Sequence, residues 1–314
     1  MKIFNSLDEL GQIIPNAHLA LGAFDGIHLG HKKIIERTVN SARQKGGVSV
    51  VFTFSNHPSA VLGRTKCPPQ IVSRAVKEQL IAGLGVDVLC NVPFTQELAK
   101  LSADGFINLL KQKFGLRQII IGENYRYGYQ ARGDTASLQR AGGELDFLVE
   151  RVALATITDP LTLGEITISS SVIREFLKAG KISAAAFLLG RSFSLSGTVG
   201  NGAKRGRELG YPTANIVWDS KLIIPADGVY AANIFLGQAG YKGVVNIGVN
   251  PTFNCRERTL EAHLLDFTGN LYGETLTIDF IWRIRSEMKF ANGEELKTQI
   301  AKDAQEAKFV LANL

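Results

Sequence analysis

Between His18 and Val152 the chain alternates strand-length apolar runs with helix-length mixed stretches, and no other feature restricts its fold as strongly. The run Val48–Phe54 is apolar nearly throughout, as a strand buried on both faces of a parallel sheet requires. Around it the pattern predicts strands at His18–Phe24, Val86–Val92, Gln118–Gly122 and Leu145–Val152. Helices are expected at about Gly26–Lys45, Arg74–Leu84 and Ala103–Phe114. Strand–helix–strand repetition of this kind builds a doubly wound, Rossmann-like α/β sheet, whose ligands bind at the carboxyl ends of the strands.

The pattern then changes. Ser171–Ala179 has helical spacing and stops at Gly180, and Ile182–Leu189 reads as a second short helix. After Gly190 come strand-length runs without helices between them, at Phe193–Val199, Thr213–Trp218, Gly228–Leu236, Tyr241–Gly248, Thr259–Asp266 and Leu276–Trp282. That spacing predicts a small antiparallel β-barrel, closed by a helix over about Glu294–Leu311. A chain of 314 residues has room for about two domains, and the change of pattern places the boundary near Phe187–Arg191, giving 1–186 and 187–314.

Composition excludes several classes. No apolar run approaches the roughly 20 residues that span a bilayer, so no membrane partner is expected. Met1–Pro15 is mixed in polarity and carries Asp8 and Glu9, unlike a signal peptide, and the expected compartment is the cytoplasm. The net charge of +6 is spread along the chain without a basic run or a helix-turn-helix signature. It suits anionic small molecules such as ATP better than nucleic acid. Cys67, Cys90 and Cys255 lie far apart, which excludes a zinc ribbon or a disulfide framework. Nothing in the sequence sets an oligomeric state.

Two constellations carry chemistry. The first, Leu21-Gly22-Ala23-Phe24-Asp25-Gly26-Ile27-His28-Leu29-Gly30-His31, joins the first strand to the first helix. Gly26 and Gly30 allow close approach of a ligand, and unpaired N–H groups at a helix start favour an anion. His28 and His31 are spaced to face the same way; they form a phosphate clamp that donates hydrogen bonds to developing charge, or they cap and pack as structural residues. A metal would need more ligands than two. No Walker A motif occurs, which excludes a P-loop kinase.

The string G-x-F-D-G-x-H-x-G-H resembles the signature of the HxGH nucleotidyltransferases. Ile168-Ser169-Ser170-Ser171-Val172-Ile173-Arg174 is similar to their second signature. Gly122-Glu123-Asn124-Tyr125-Arg126-Tyr127-Gly128 resembles the G-E-N-F-R-F-G segment of FAD synthetases, with tyrosines for phenylalanines. Phe54-Ser55-Asn56-His57-Pro58 resembles their F-D-P-H-P loop, with Ser55-Asn56 where the acidic residue stands. The resemblance implies that Gly22, Phe24, Asp25, Gly26 and Gly30 hold a nucleotide, as do Asn124, Ser169 and Ser170. It implies that Arg174 grips the β- and γ-phosphates as a fork, and that His28 and His31 are catalytic.

The second constellation is the basic, glycine-rich stretch Gly197–Arg207 followed by Pro212-Thr213-Ala214-Asn215. Its glycines lack the dinucleotide spacing; such a loop folds over phosphates or is a solvated turn. Pro-Thr-Ala-Asn is similar to the motif of riboflavin kinases, which are six-stranded barrels. By that resemblance Gly202, Lys204, Gly206 and Arg207 contact the nucleotide, and Thr213 and Asn215 hold Mg²⁺ and ATP phosphates. Oxygen ligands of that kind suit a hard cation. Asn246–Phe253 and Leu260–Asp266 also resemble the family, and Glu261 falls at its general base, whereas His263 receives no role from it. The whole chain thus resembles the bifunctional riboflavin kinase/FMN adenylyltransferases. The resemblance implies phosphorylation of riboflavin to FMN with ATP, then adenylylation of FMN to FAD with release of pyrophosphate. An adenylyltransferase for another phosphate acceptor and a regulator without turnover are the competing readings.

Overall fold

The computed structural model describes residues 1–11, 13–63, 67–158, 164–201, 210–252 and 255–313, with side chains left undescribed at 250–252 and 255–257. Contacts divide the chain into two compact units, Met1–Ser170 and Ser171–Leu314.

The first unit is built on a six-stranded sheet of β1 (Lys2–Phe4), β2 (Ile14–Leu21), β3 (Val48–Phe54), β4 (Val88–Val92), β5 (Phe114–Gly122) and β6 (Leu148–Val152). Their order is β1-β4-β3-β2-β5-β6, with every pairing parallel. The helices are α1 (Leu29–Gln44), α2 (Pro58–Val61), α3 (Arg74–Gly83), α4 (Gln96–Lys100), α5 (Ala103–Lys113) and α6 (Thr135–Leu145). A small antiparallel pair, β7 (Thr156–Thr158) and β8 (Glu165–Thr167), follows. All five residues of β4 and the five central ones of β3 are buried, which is why their apolar runs show no alternation. The strand order reverses between β2 and β5, so their carboxyl ends flank the crevice where such sheets bind ligands.

Local structure departs from the sequence expectation where backbone geometry overrides pattern. α1 begins at Leu29, not near Gly26, because Phe24 (φ 47°), Gly26 (φ 83°) and Ile27 (φ 40°) lie in the left-handed region. Phe24 and Ile27 keep that costly conformation because both are fully buried under α1 and α3. β2 ends at Leu21, short of Phe24, for the same reason, and it begins at Ile14 rather than His18 because Ile14 already pairs with Phe114 of β5.

The second unit begins at Ser171, one residue into α7 (Ser170–Lys178), and continues with α8 (Ile182–Leu189). Its barrel comprises β9 (Phe193–Gly200), β10 (Ala214–Trp218), β11 (Gly228–Leu236), β12 (Ala239–Thr252), β13 (Cys255–Leu264) and β14 (Thr275–Arg285). They close in the order β10-β13-β12-β11-β14-β9, every neighbour antiparallel. Closure leaves no sheet edge. The interior is filled by Tyr230, Phe193 and Phe280 with aliphatic residues from alternate positions. α9 (Gly293–Asn313) lies on β11, β12 and β14, held by the Arg285 guanidinium, which donates to the buried Asp303 carboxylate at 2.7 and 2.9 Å.

Candidate functional site

In the first unit the strained turn after β2 delivers both histidines. His28 is the N-cap of α1, and its Nδ1 accepts from the His31 backbone N–H at 3.3 Å. The cap aligns the two rings in a stack, with centroids 3.5 Å apart and planes within 22°. Phe24 meets His31 edge-on at 5.2 Å. Gly30 makes the arrangement possible: a Cβ there would press on the His28 ring at 3.3 Å. His28 is buried, and His31 Nδ1 is shut off from solvent without a hydrogen-bond partner among the described residues. Burial, then the neighbouring His28, then Lys77 hold the His31 pKa well below its ordinary 6.5. The imidazole is therefore neutral at pH 7, able to donate through one nitrogen only.

Some of the other predicted residues meet this turn and others lie apart from it. The Asp25 carboxylate accepts from Ile71 N at 3.0 Å, which fixes the loop ahead of α3. Ser170 Oγ donates to the Asp25 carbonyl at 2.9 Å, tying the end of this unit back to the loop. Gly22 continues the strand by donating from N to Phe52 O at 3.3 Å. Asn124 is exposed in the turn at the end of β5, across the crevice from α1. Ser169 is half-buried just ahead of α7, and Arg174 is buried on α7 in the second unit.

The Phe54–Pro58 loop closes a small cleft at the ends of β2 and β3, lined by Asp25, His57, Arg74, Lys77 and Asn91. Asn56, one of the two residues replacing the acidic position, has a structural task. Its amide accepts from Phe94 N at 2.7 Å and donates to Phe94 O at 3.1 Å, like a rung added beyond β4. His57 caps α2 through Ser59. Tyr127 donates to or accepts from Ser137 Oγ at 3.2 Å, engaging the hydroxyl that a phenylalanine lacks.

In the barrel, Asn215 on β10 lies directly opposite Glu261 on β13, which in turn faces Asn246 on β12. Directly paired residues share a face, so these three side chains form one polar row across three strands. Thr213 Oγ1 lies 3.4 Å from Glu261 Oε2 and donates to it. His263 Nδ1 lies 2.7 Å from the Pro212 carbonyl, which can only accept, so Nδ1 carries the proton and anchors the Pro-Thr-Ala-Asn segment. Gly248 leaves room for the Glu287 carboxylate, which would collide with any Cβ at that position. An open, largely apolar depression adjoins Thr213, lined by Pro212, Leu264, Phe267, Leu271 and Tyr272.

Gly202, Lys204, Gly206 and Arg207 lie outside the described residues, as does Phe253. Sequence reasoning passed over Lys77, Glu287 and the 267–272 loop. A lysine on an amphipathic helix and a glutamate after a strand carry no motif, and only the folded chain brings them to the sites. Among the described residues no cluster of three His, Cys, Asp or Glu side chains could hold a metal ion.

Comparisons with known proteins divide along the same line. A family model described as FAD synthetase matches residues 12–172, and one described as riboflavin kinase matches residues 189–311. A bifunctional riboflavin kinase/FMN adenylyltransferase of Bacillus subtilis is 38% identical over 94% of this chain and 93% of its own. The protein of the same description from Escherichia coli K12 is 33% identical over 96% of both. A crystal structure described as a macrolide-efflux protein from Streptococcus pneumoniae superposes with a TM-score of 0.87, at 29% identity and 98% coverage of both chains. Among the described residues of the present chain, no helix is long and apolar enough to cross a membrane.

Proposed function

The chain belongs to the family of bifunctional riboflavin kinase/FMN adenylyltransferases, and on that premise we propose how its residues divide the two reactions. Residues 1–186 adenylylate FMN, and residues 187–314 phosphorylate riboflavin. The observation that carries the division is the presence of two unlike constellations on two unlike scaffolds. One is the stacked His28–His31 pair at the crevice of a parallel sheet; the other is the Thr213–Asn215–Glu261 row on a closed barrel.

In the kinase reaction the riboflavin 5′-hydroxyl attacks the γ-phosphorus of ATP, giving FMN and ADP. Glu261 takes the hydroxyl proton as the bond forms. The Thr213 hydroxyl and the Asn215 amide supply oxygens beside Glu261, a donor pair fitted to Mg²⁺ and not to zinc. When bound there, the cation would neutralise phosphate charge. The apolar depression beside Thr213 offers a surface for a planar ring. Gly202, Lys204, Gly206 and Arg207 complete the nucleotide contacts, as their motif implies.

In the transfer reaction the FMN phosphate oxygen attacks the α-phosphorus of a second ATP and pyrophosphate leaves. The nucleophile is already an anion, so no base is needed; alignment and charge stabilisation do the work. His28 and His31 meet the α-phosphate oxygens. Gly22, Phe24, Asp25, Gly26 and Gly30 shape the loop beneath the nucleotide. Asn124, Ser169 and Ser170 border it, and Arg174 takes the leaving phosphates through its planar fork. The partners are small molecules, and the compartment is taken to be the cytoplasm.

Purified protein incubated with riboflavin, ATP and Mg²⁺, with the flavins then separated, tests the reading. FMN should appear first and FAD after it. FAD formation without any FMN, or no phosphorylated flavin at all, would count against it.

A further inference from the structure

Lys77 belongs to no motif, yet it is the buried cation of the first unit's site. Most lysines on amphipathic helices point to solvent; this one turns from α3 into the sheet's carboxyl edge. Its Nζ donates to the Ala23 carbonyl at 2.8 Å and to the Phe54 carbonyl at 3.0 Å. Phe54 ends β3, and Ala23 lies just past the end of the adjacent β2. The Ala23 carbonyl also accepts from Thr53 Oγ1 at 2.9 Å. Immediately beyond Ala23 the backbone turns left-handed and delivers His28 and His31. One ammonium therefore latches two neighbouring strand ends where the catalytic turn departs.

A latch alone does not need a charge. Two carbonyls are satisfied by neutral donors, and burying an ammonium carries a solvation penalty that an amide or hydroxyl avoids. The acidic groups beside Lys77 are Asp25 from the loop and Glu78 from α3, and His31 near the start of α1 feels the lysine's charge. Glu78 is already engaged with Arg74 at 2.8 Å and Asn91 at 3.0 Å, and Asp25 accepts from Ile71 N. The lysine's charge also opposes protonation of His31, after burial and the neighbouring His28.

We propose that Lys77 is a positioning residue for adenylyl transfer, a buried ammonium that latches the left-handed turn after Ala23 to the end of β3 and so sets where α1 presents His28 and His31. The inference rests on the assignment of His28 and His31 to the transfer reaction. Burial brings the Lys77 pKa down to about 8, with Asp25 and Glu78 acting against the fall. Below that pH the ammonium is present. Above it the neutral amine keeps donors but loses charge-assisted bonds, which are roughly twice as strong as neutral ones.

The experiment compares the unmodified enzyme with Lys77→Met, measuring kcat and KM for ATP in FMN adenylylation from pH 5.5 to 9.5. Riboflavin phosphorylation is followed on the same samples. The unmodified enzyme should lose transfer activity as pH rises through about 8. In Lys77→Met, kcat at pH 7 should fall on the order of 10²-fold, as for small misplacements of reacting groups. KM for ATP should change far less, riboflavin phosphorylation should be unaltered, and the alkaline loss should vanish. The acid limb should move toward 6.5, because one of the influences depressing His31 is gone. An unmodified enzyme whose transfer rate is flat from pH 7 to 9.5 overturns the inference, as does a Met variant that keeps the parent profile. If Lys77→Met does not fold, the parent profile decides, and a transfer rate that does not fall between pH 7 and 9.5 is the overturning result. An unmodified enzyme that makes no FAD from FMN removes the site assignment itself, and the inference with it.

Discussion

A neutral His31 has consequences for stability as well as for chemistry. In the unfolded chain the ring takes up a proton as pH falls through about 6.5, whereas the folded ring resists until well below it. The unfolded state then binds more protons, so the folded state loses stability on acidification below about 6.5 and retains it above. Between pH 6.5 and 5.5 this one residue should remove up to about 1 kcal/mol. Denaturant unfolding of the parent and of His31→Asn at both pH values checks this, since the variant should lack that share of the slope. For catalysis, His31→Ala should depress FAD formation from FMN on the order of 10²–10³-fold, as for loss of one preorganised donor. Riboflavin phosphorylation should continue, with FMN accumulating. Glu261→Gln keeps shape but removes the proton acceptor, and should lower FMN formation about 10²–10⁴-fold while FAD formation from supplied FMN persists. Flavin separation reads both variants; equal loss of both steps in either one contradicts the assignment. These residues were legible because each sits in a multi-residue string. Lys77 was not: its position arises from α3 crossing the ends of β2 and β3, a tertiary fact that no local pattern records.

At the scale of elements, length and periodicity made the central strands readable, and short or glycine-bearing pieces were missed. β3, β11 and α8 run as the pattern predicts. β1 went unseen because three residues offer no period; it exists through its pairing with β4. α6 was not among the expected helices; it carries Gly142 and Gly143, residues that weaken a helical pattern. Gly142 is in fact needed there: a Cβ would strike the Phe147 carbonyl at 2.6 Å, and a capping box between Asp134 and Ser137 starts the helix regardless. α9 was predicted nearly to its ends, but not what docks it. Asp303 is 3% exposed and takes Arg285 in a forked bond, with Gln299 adding a donation at 2.9 Å. Asp303→Ala would leave the guanidinium half-buried and unpaired, a change that costs about 3 kcal/mol or more. Chemical denaturation followed by barrel fluorescence should show that loss; an unchanged midpoint would mean that α9 is held by its apolar face alone.

At the scale of the whole molecule, the motifs divide the chain near residue 187 and the contacts divide it at Ser170–Ser171. The difference has a physical source, since α8 packs on β9 and β14, and Ala226 N donates to Leu177 O in α7 at 3.0 Å. Both 171–314 and 187–314 should therefore phosphorylate riboflavin, with the longer fragment melting at the higher temperature. A folded 187–314 without kinase activity would refute the proposed boundary. The central claim, two independent sites on one chain, is tested most directly by mixing His31→Ala with Glu261→Gln in riboflavin, ATP and Mg²⁺. Alone, the first should stop at FMN and the second should leave riboflavin largely unchanged. Together they should make FAD, as the FMN released by one is adenylylated by the other. A mixture that makes no FAD, although each variant retains its own remaining step, would contradict the account.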